Sequence, residues 1–549
     1  MKKFALILAA CTLSFTMLGQ SKTAVSKTNL PAASRPKLIV GLVVDQMRWD
    51  YLYRYNDLYG NGGFKRILRQ GFSCENTMIP YIPTYTAVGH SCIYTGSVPA
   101  IMGIVGNNWY DKSIRKGMYC TTDTSVQGVG GTGAAGQMSP KNLWATSITD
   151  ELQMSTNFRS KVIGISLKDR GAILPAGHSA TAAYWYDKGK FISSTYYMNA
   201  LPKWVNDFNA KDYPAKTMNG VWNTLLPIEK YSMSTADAKH HEGTMPGIST
   251  NTFPYRFDTV AASKKPETFR YTPFGSTYTI DFAKAALENE KMGVGAFTDF
   301  LCISVSSTDY AGHSFGPNSI ELEDTYLRLD KDLESFLQYL DAKVGKGNYL
   351  FFLSADHGAA HNVGFMKENK MPAGNFSEGS FKTELNKMIA DSTGLSNAVL
   401  AVENYQVYID FDGLQKSGKD VGFVKQLIMK ALRMKPFVTD VFETSKIQQA
   451  SIAQPIKERL INGFSAVRSG DIQFLVKPSW FDGSEKGTTH GAWNPYDSHI
   501  PLVWFGWGVK AGKTNRETYM TDIAPTIAAM LQIQMPNGCV GRVIPEVMK

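Results

Sequence analysis

Charge is scarce in this chain, and so are histidine and cysteine. Of 549 residues, 19% are Asp, Glu, Lys or Arg against 43% hydrophobic. No extended stretch combines low hydropathy with high charge, which excludes a chain disordered over much of its length. The cation excess of +9 suits an anionic substrate but is spread too thinly for a nucleic-acid surface, so no nucleic-acid partner is expected. Beyond the first twenty residues no apolar run reaches the roughly 18 residues of a membrane-crossing helix, and no stable membrane span is expected. CxxC is absent, which removes zinc ribbons and thioredoxin-type sites. No internal repeat is evident. At roughly 100 to 200 residues per domain, the length allows one large elaborated domain or up to three ordinary ones.

What is present begins with an export signal. Lys2 and Lys3 precede an apolar stretch from Phe4 to Leu18, so residues 1–20 are expected to be a signal peptide and the mature chain, 21–549, periplasmic or secreted. Leu8-Ala9-Ala10-Cys11 also fits a lipoprotein cleavage pattern, a less favoured reading because the apolar run continues past Cys11. Five cysteines then remain: Cys74, Cys92, Cys120, Cys302 and Cys539. An odd number leaves at least one unpaired and permits up to two disulfides. Cys92 and Cys302 lie in apolar segments and are expected to be buried thiols.

Three apolar, β-branched runs stop at carboxylates: LIVGLVV before Asp45, FLCISVSST before Asp309 and YLFFLSA before Asp356. Each is expected to be a buried strand. Between 319 and 344 Leu322, Tyr326, Leu329, Leu333, Phe336, Leu337 and Leu340 recur at helical spacing. Strands alternating with helices indicate an α/β fold with a mainly parallel sheet. Ligands of such sheets bind beyond the carboxyl ends of the strands, where all three carboxylates fall, and this suggests a metal site. Segments at about 108–160, 180–275 and 361–488 are longer than crossovers require and are expected to form capping insertions. Gly128-x-Gly130-x-x-Gly133 has dinucleotide-turn spacing, but the preceding TTDTSVQ is polar rather than a strand, so a flexible surface loop is expected.

The histidines sharpen the metal reading. His313 follows Asp309 by four residues, His357 directly follows Asp356, and His490 lies in GTTHGAWN. Together with VVDQM around Asp45, PTYTAVGH around Thr86, GIVGNNWYD around Asn107, SLKDRGA around Lys168 and Arg170, and DIAPTIAAML near the C-terminus, these stretches resemble the alkaline phosphatase superfamily. Within it the chain is similar to the PafA-type alkaline phosphatases and to the nucleotide pyrophosphatase/phosphodiesterases. The resemblance covers most of the mature chain. It implies a central mixed, mostly parallel sheet flanked by helices, and two Zn²⁺: one on Asp309, His313 and His490, the other on Asp45, Asp356, His357 and the Thr86 oxygen. It also favours Thr86 as nucleophile over Thr84, which spacing alone does not exclude.

Two imidazoles and a carboxylate suit zinc and leave a position open. A second ion held by two carboxylates and an imidazole can promote ionisation of a bound hydroxyl. The phosphoryl group would then pass to Thr86 and afterwards to water. His90 is expected to be structural, in the first turn of a helix whose N-terminus lies near the phosphate. His361 and His499 stand as reserve ligands, and His178, His240 and His241 receive no role. In KVIGISLKDRG a strand is expected to end near Leu167, with Lys168 and Arg170 emerging together and Asp169 pointing away. A monoester carries more negative charge than a diester, so added cations select it. The PafA-type enzymes resemble this chain in having Lys-x-Arg, whereas the phosphodiesterase relatives typically lack it. Asn107 would donate to a phosphoryl oxygen in both groups. The expected activity is hydrolysis of small phosphate monoesters with an alkaline optimum. The alternatives are a phosphodiesterase or nucleotide pyrophosphatase, and a non-catalytic zinc or phosphate binder. A sulfatase is disfavoured because residues 86–90, TAVGH, lack the Cys/Ser-x-Pro-x-Arg stretch.

Overall fold

The run Leu38–Val44 is buried along its whole length because it is paired on both edges, parallel to Asp299–Val305 on one side and to Tyr349–Ser354 on the other. A strand also covered on both faces needs no polar alternation, which is why these three segments are continuous apolar blocks. Val162–Ser166 and Ala182–Asp187 extend the parallel set to five. Antiparallel neighbours then flank it, Leu502–Gly506 beside Tyr349–Ser354 and Lys190–Ser194 beside Ala182–Asp187. The structure, a computed structural model, describes residues 35–548, and among these the sheet has ten strands. The expected signal peptide and Cys11 lie outside the described residues. Among those described, no helix is long and apolar enough to cross a membrane.

The helical stripe is realised as Ile320–Leu340, with all seven periodic residues buried. Its start is set by Ser319, whose hydroxyl accepts from Leu322 N at 3.2 Å, satisfying one of the orphan N–H groups of the first turn. A π-helical turn, Asp341–Gly345, completes the span. The five described cysteines are all unpaired, so neither disulfide permitted by their number forms. Burial raises the Cys92 and Cys302 thiols, as for inert structural cysteines.

Of the expected insertions, 361–488 carries a sheet of its own. It contains a four-stranded antiparallel sheet, Val399–Glu403, Gln406–Ile409, Ile472–Val476 and Val438–Glu443. The helices Glu378–Thr393 and Val421–Arg433 contribute to a core of its own around Ile389, Val407, Ile428 and Phe474. The other two boundaries need correction. Residues 182–194 supply two strands of the main sheet before the chain leaves it. Gly128–Val129 adds a short edge strand against Ser193 and Ser194. The glycine-rich segment is therefore this strand plus a 3₁₀ turn at Gly133–Gly136, with Ala135 O accepting from Trp185 Nε1 at 2.8 Å. A two-residue strand is too short to leave a periodic signal.

Glu378 opens a helix of the 361–488 insertion with its side chain buried. Burial pushes its carboxyl up to about 8; the Tyr405 N–H, donating at 2.6 Å, opposes this, and nearby Asp482 and Glu403 reinforce it. The folded state therefore holds this proton more tightly than the unfolded chain. The stabilisation is complete below the unfolded value and is lost as pH rises toward 8. Glu378→Gln keeps an acceptor for Tyr405 without the charge. Its Tm should match wild type near pH 5 and exceed it by several degrees near pH 9, as thermal melts would read directly.

Candidate active site and metal centre

The three carboxylates arrive at one edge of the sheet as the strands end. Asp45 follows Leu38–Val44 directly, and Asp356 follows Tyr349–Ser354 after Ala355. Asp309 is reached differently: its strand ends at Val305, and it sits in the first turn of the helix Ser307–Phe315. His313, four residues on, shares its helix face. All three carboxylates are buried, and such a concentration of charge demands a cation.

Around Asp45 and Asp356 the donor atoms converge. His357 Nε2 lies 3.5 Å from Asp45 Oδ1, 3.4 Å from Asp356 Oδ2 and 3.3 Å from Thr86 Oγ1. Asp45 Oδ1 and Asp356 Oδ2 are buried without hydrogen-bond partners, although His90 Nδ1 lies 3.2 Å from the latter. In the second group Asp309 Oδ1 lies 3.2 Å from His313 Nε2 and 3.8 Å from His490 Nε2. His357 stands between the groups, its ring stacked on that of His490 with centroids 3.4 Å apart. Burial and its charged neighbours Asp309 and Asp356 raise the Asp45 carboxyl. Burial would raise Asp309 too, but His313 and Lys168 hold it well below its ordinary value.

The imidazoles test whether this set fits a metal. His313 Nδ1 meets Thr488 O at 2.8 Å, His357 Nδ1 meets Gly358 O at 2.9 Å, and His490 Nδ1 meets Thr84 O at 2.6 Å. A carbonyl only accepts, so each Nδ1 carries the proton and, in a neutral ring, Nε2 presents its lone pair inward. Burial and the neighbouring imidazoles lower His490 well below its usual value, and burial lowers His357, which favours the neutral, ligating form of these two; burial would lower His313 as well, but Asp309 raises it. The residues fit zinc.

The sequence matches the type I phosphodiesterase / nucleotide pyrophosphatase family over residues 39–498. The chain belongs to that family. Alkaline phosphatase PafA of Elizabethkingia meningoseptica is 54% identical over 97% of this chain and 96% of its own length. Alkaline phosphatase PhoV of Synechococcus elongatus is 54% identical over 94% of each. A Myroides odoratus protein named calcium-transporting ATPase is 51% identical over 98% of this chain and 97% of its own. The crystal structure of wild-type PafA matches with a TM-score of 0.92 at 54% identity, covering 94% of this chain and 100% of that one. The α/β fold with its large mixed central sheet is the family's.

Within this family fold the two threonines separate. Thr84 Oγ1 donates to Ala492 O and accepts from Gly491 N, both at 3.0 Å, so it secures the loop carrying His490. Thr86 opens the helix Thr86–Thr95 and brings its Oγ1 to 3.3 Å from His357 Nε2. Gly89 lets that helix lie against the Asp356 backbone, since a Cβ there would come within 2.4 Å of Asp356 O. Asn107 Oδ1 accepts from Ala87 N at 2.9 Å, which ties its side chain to the first turn of the Thr86–Thr95 helix.

Lys168 and Arg170 depart from expectation. The strand stops at Ser166 and a helix starts at Asp169, so the pair does not share a strand face. Lys168 Nζ lies 2.6 Å from Asp45 Oδ2 and 2.5 Å from Asp309 Oδ2, between the carboxylates of the two groups. Arg170 donates to Tyr119 OH at 3.0 Å. Asp169 does not point away from Arg170: it accepts from Tyr119 OH, the hydroxyl to which Arg170 donates, and from Thr121 Oγ1. The reserve ligands are occupied elsewhere: His361 by Arg48 and Asn318, His499 by Glu75 O. His90 lies within the helix Thr86–Thr95 and meets Thr86 O through Nδ1 and Ser304 Oγ through Nε2.

Gln46 is not among the expected site residues. Its Nε2 donates to Asp309 Oδ1 at 2.8 Å and its backbone N to Asp356 Oδ1 at 3.1 Å, from a left-handed φ of 64°. A polar residue after a strand-end Asp was the available clue, but the unusual backbone that aims it is set by tertiary contacts. Tyr310 is likewise outside the expected set; its ring lies 5.2 Å from Lys168 Nζ.

Proposed function

We propose that this chain is an exported, zinc-dependent alkaline phosphatase that hydrolyses small phosphate monoesters through a phosphothreonine at Thr86. The observation that carries this reading is the approach of Thr86 Oγ1 to the cluster of His357 Nε2, Asp45 Oδ1 and Asp356 Oδ2. Two zinc ions, one held by Asp45, Asp356, His357 and Thr86 Oγ1 and the other by Asp309, His313 and His490, would supply Lewis acidity that promotes ionisation of the hydroxyl and offsets phosphoryl charge. Thr86 Oγ1 bonds to phosphorus as the ester oxygen leaves with its electron pair and takes a proton to become the alcohol. Water then cleaves the phosphothreonine and restores the hydroxyl. Asn107 Nδ2 and Arg170 would orient the phosphoryl oxygens, while Lys168 on its flexible stem offsets the charge of Asp45 and Asp309. The names of the 54%-identical relatives support the monoesterase reading. An ATPase name is compatible with it, because ATP ends in a phosphoryl group with three free oxygens.

The family's own name supports a second reading, phosphodiester or pyrophosphate cleavage. Hydrolysis of p-nitrophenyl phosphate beside bis(p-nitrophenyl) phosphate, before and after chelation, decides between them. The monoester should be strongly preferred, and activity should vanish with chelator and return with zinc. A diester preference would favour the second reading, and zinc binding without turnover of either ester would make the protein a binder.

A further inference from the structure

Away from the strand ends, His240, His241 and Glu368 bring one imidazole nitrogen each and a carboxylate oxygen within 4.8 Å of one another. His241 is buried, and its Nδ1 has no hydrogen-bond partner. That nitrogen lies 3.5 Å from Glu368 Oε2, too far for a hydrogen bond but suited to two ligands of one ion. An unsatisfied buried polar atom is costly, and ligation would satisfy it. His240 and Glu368 are exposed, which provides an entry path. The other oxygen of Glu368 is held by Lys239 Nζ at 2.5 Å. That contact orients the carboxylate and also keeps affinity below that of a fully acidic site.

We propose that His240, His241 and Glu368 form a third metal site, suited to Zn²⁺ or a similar borderline divalent cation, which clasps two insertions together beside the segment Gly487–His490. The histidines come from the insertion that follows the Lys190–Ser194 strand; Glu368 ends the helix Val363–Glu368 of the other insertion. The His241 carbonyl accepts from Gly487 N at 2.9 Å and from Asn362 Nδ2 at 3.0 Å. The next residue, Thr488, donates its N–H to His313 O at 2.9 Å and accepts from His313 Nδ1. An ion that fixes His241 therefore braces the segment running from Gly487 to His490. This clasp takes no part in the reaction proposed above.

The test is zinc stoichiometry and zinc-dependent Tm of the whole protein, wild type against His240→Ala and Glu368→Gln, both at exposed positions. At the same free zinc each variant should bind one ion fewer per chain than wild type, keep its monoester kcat, and lose part of the Tm gain that zinc confers on wild type. Equal stoichiometry and equal zinc dependence of Tm in all three chains would overturn the proposal. Because every chain shares the buried centre, a failure of the two-zinc reading would shift all the counts together and leave their difference intact.

Discussion

Thr86→Ala should abolish nearly all turnover, with a loss on the order of 10³ or more in kcat, while the protein stays folded and keeps most of its zinc. Thr86 supplies one oxygen to a group that also contains Asp45, Asp356 and His357, so ligation should survive its removal. Acid quenching of wild type during turnover should trap phosphothreonine at residue 86. Thr86→Ser should keep part of the activity, since a hydroxyl remains and only the methyl that restricts its rotamers is lost. Stereochemistry supplies an independent measurement. Two successive in-line displacements retain configuration at phosphorus, whereas direct attack by water inverts it. Inversion with a chiral phosphate ester would exclude Thr86 as nucleophile, however inactive the alanine variant proved to be.

The second large effect is expected from the cations. Replacing Lys168 and Arg170 together with alanine should lower monoester kcat/KM on the order of 10² or more, as for other groups aimed at transition-state charge, and lower diester hydrolysis far less. The structure adds a refinement. Lys168 is ion-paired with Asp45 and Asp309, so its removal also changes how tightly the carboxylates hold a cation. Arg170 touches neither of them; its described hydrogen bond is to Tyr119. Arg170→Ala alone should therefore reduce monoester turnover without changing zinc content. Equal losses on mono- and diester substrates would show that these side chains position any phosphoryl group or support the fold. A fall in zinc content for Arg170→Ala would place its effect in the metal centre.

Much of the site was legible because its chemistry is local in sequence. Asp45 and Asp356 end apolar runs, His357 adjoins Asp356, and Asp309 and His313 lie one helical turn apart. Such pairs are visible without coordinates. His490 was legible only through the resemblance, since it lies in an irregular loop with no periodicity. The expected geometry of Lys168 and Arg170 failed for a definable reason. The strand ends at Ser166, within a residue of the expected Leu167, but side-chain alternation does not carry past that end: the chain turns into a helix at Asp169, which redistributes the three side chains. The edge strand at Gly128–Val129 escaped notice because two residues carry no pattern, and the 180–275 boundary because its first strands belong to the main sheet.

By itself the sequence determined the element types of the core, the fold class and the placing of Asp45, Asp309 and Asp356 just beyond strand ends, with His313 and His357 close to two of them. These follow from hydrophobic period and side-chain chemistry, which act over a few neighbouring residues; the full ligand set, His490 included, came only with the family resemblance. Only the tertiary structure decided which of two threonines lies beside the buried carboxylate and histidine cluster, which tautomer His313, His357 and His490 adopt and where Lys168 places its charge. It also showed Gln46 bonded to Asp309 and Asp356. Each of these depends on atoms far apart in the chain, such as Thr84 O beside His490 and Asp309 beside Lys168. Pairings at that separation are set by how the strands and insertions pack, which no local pattern encodes.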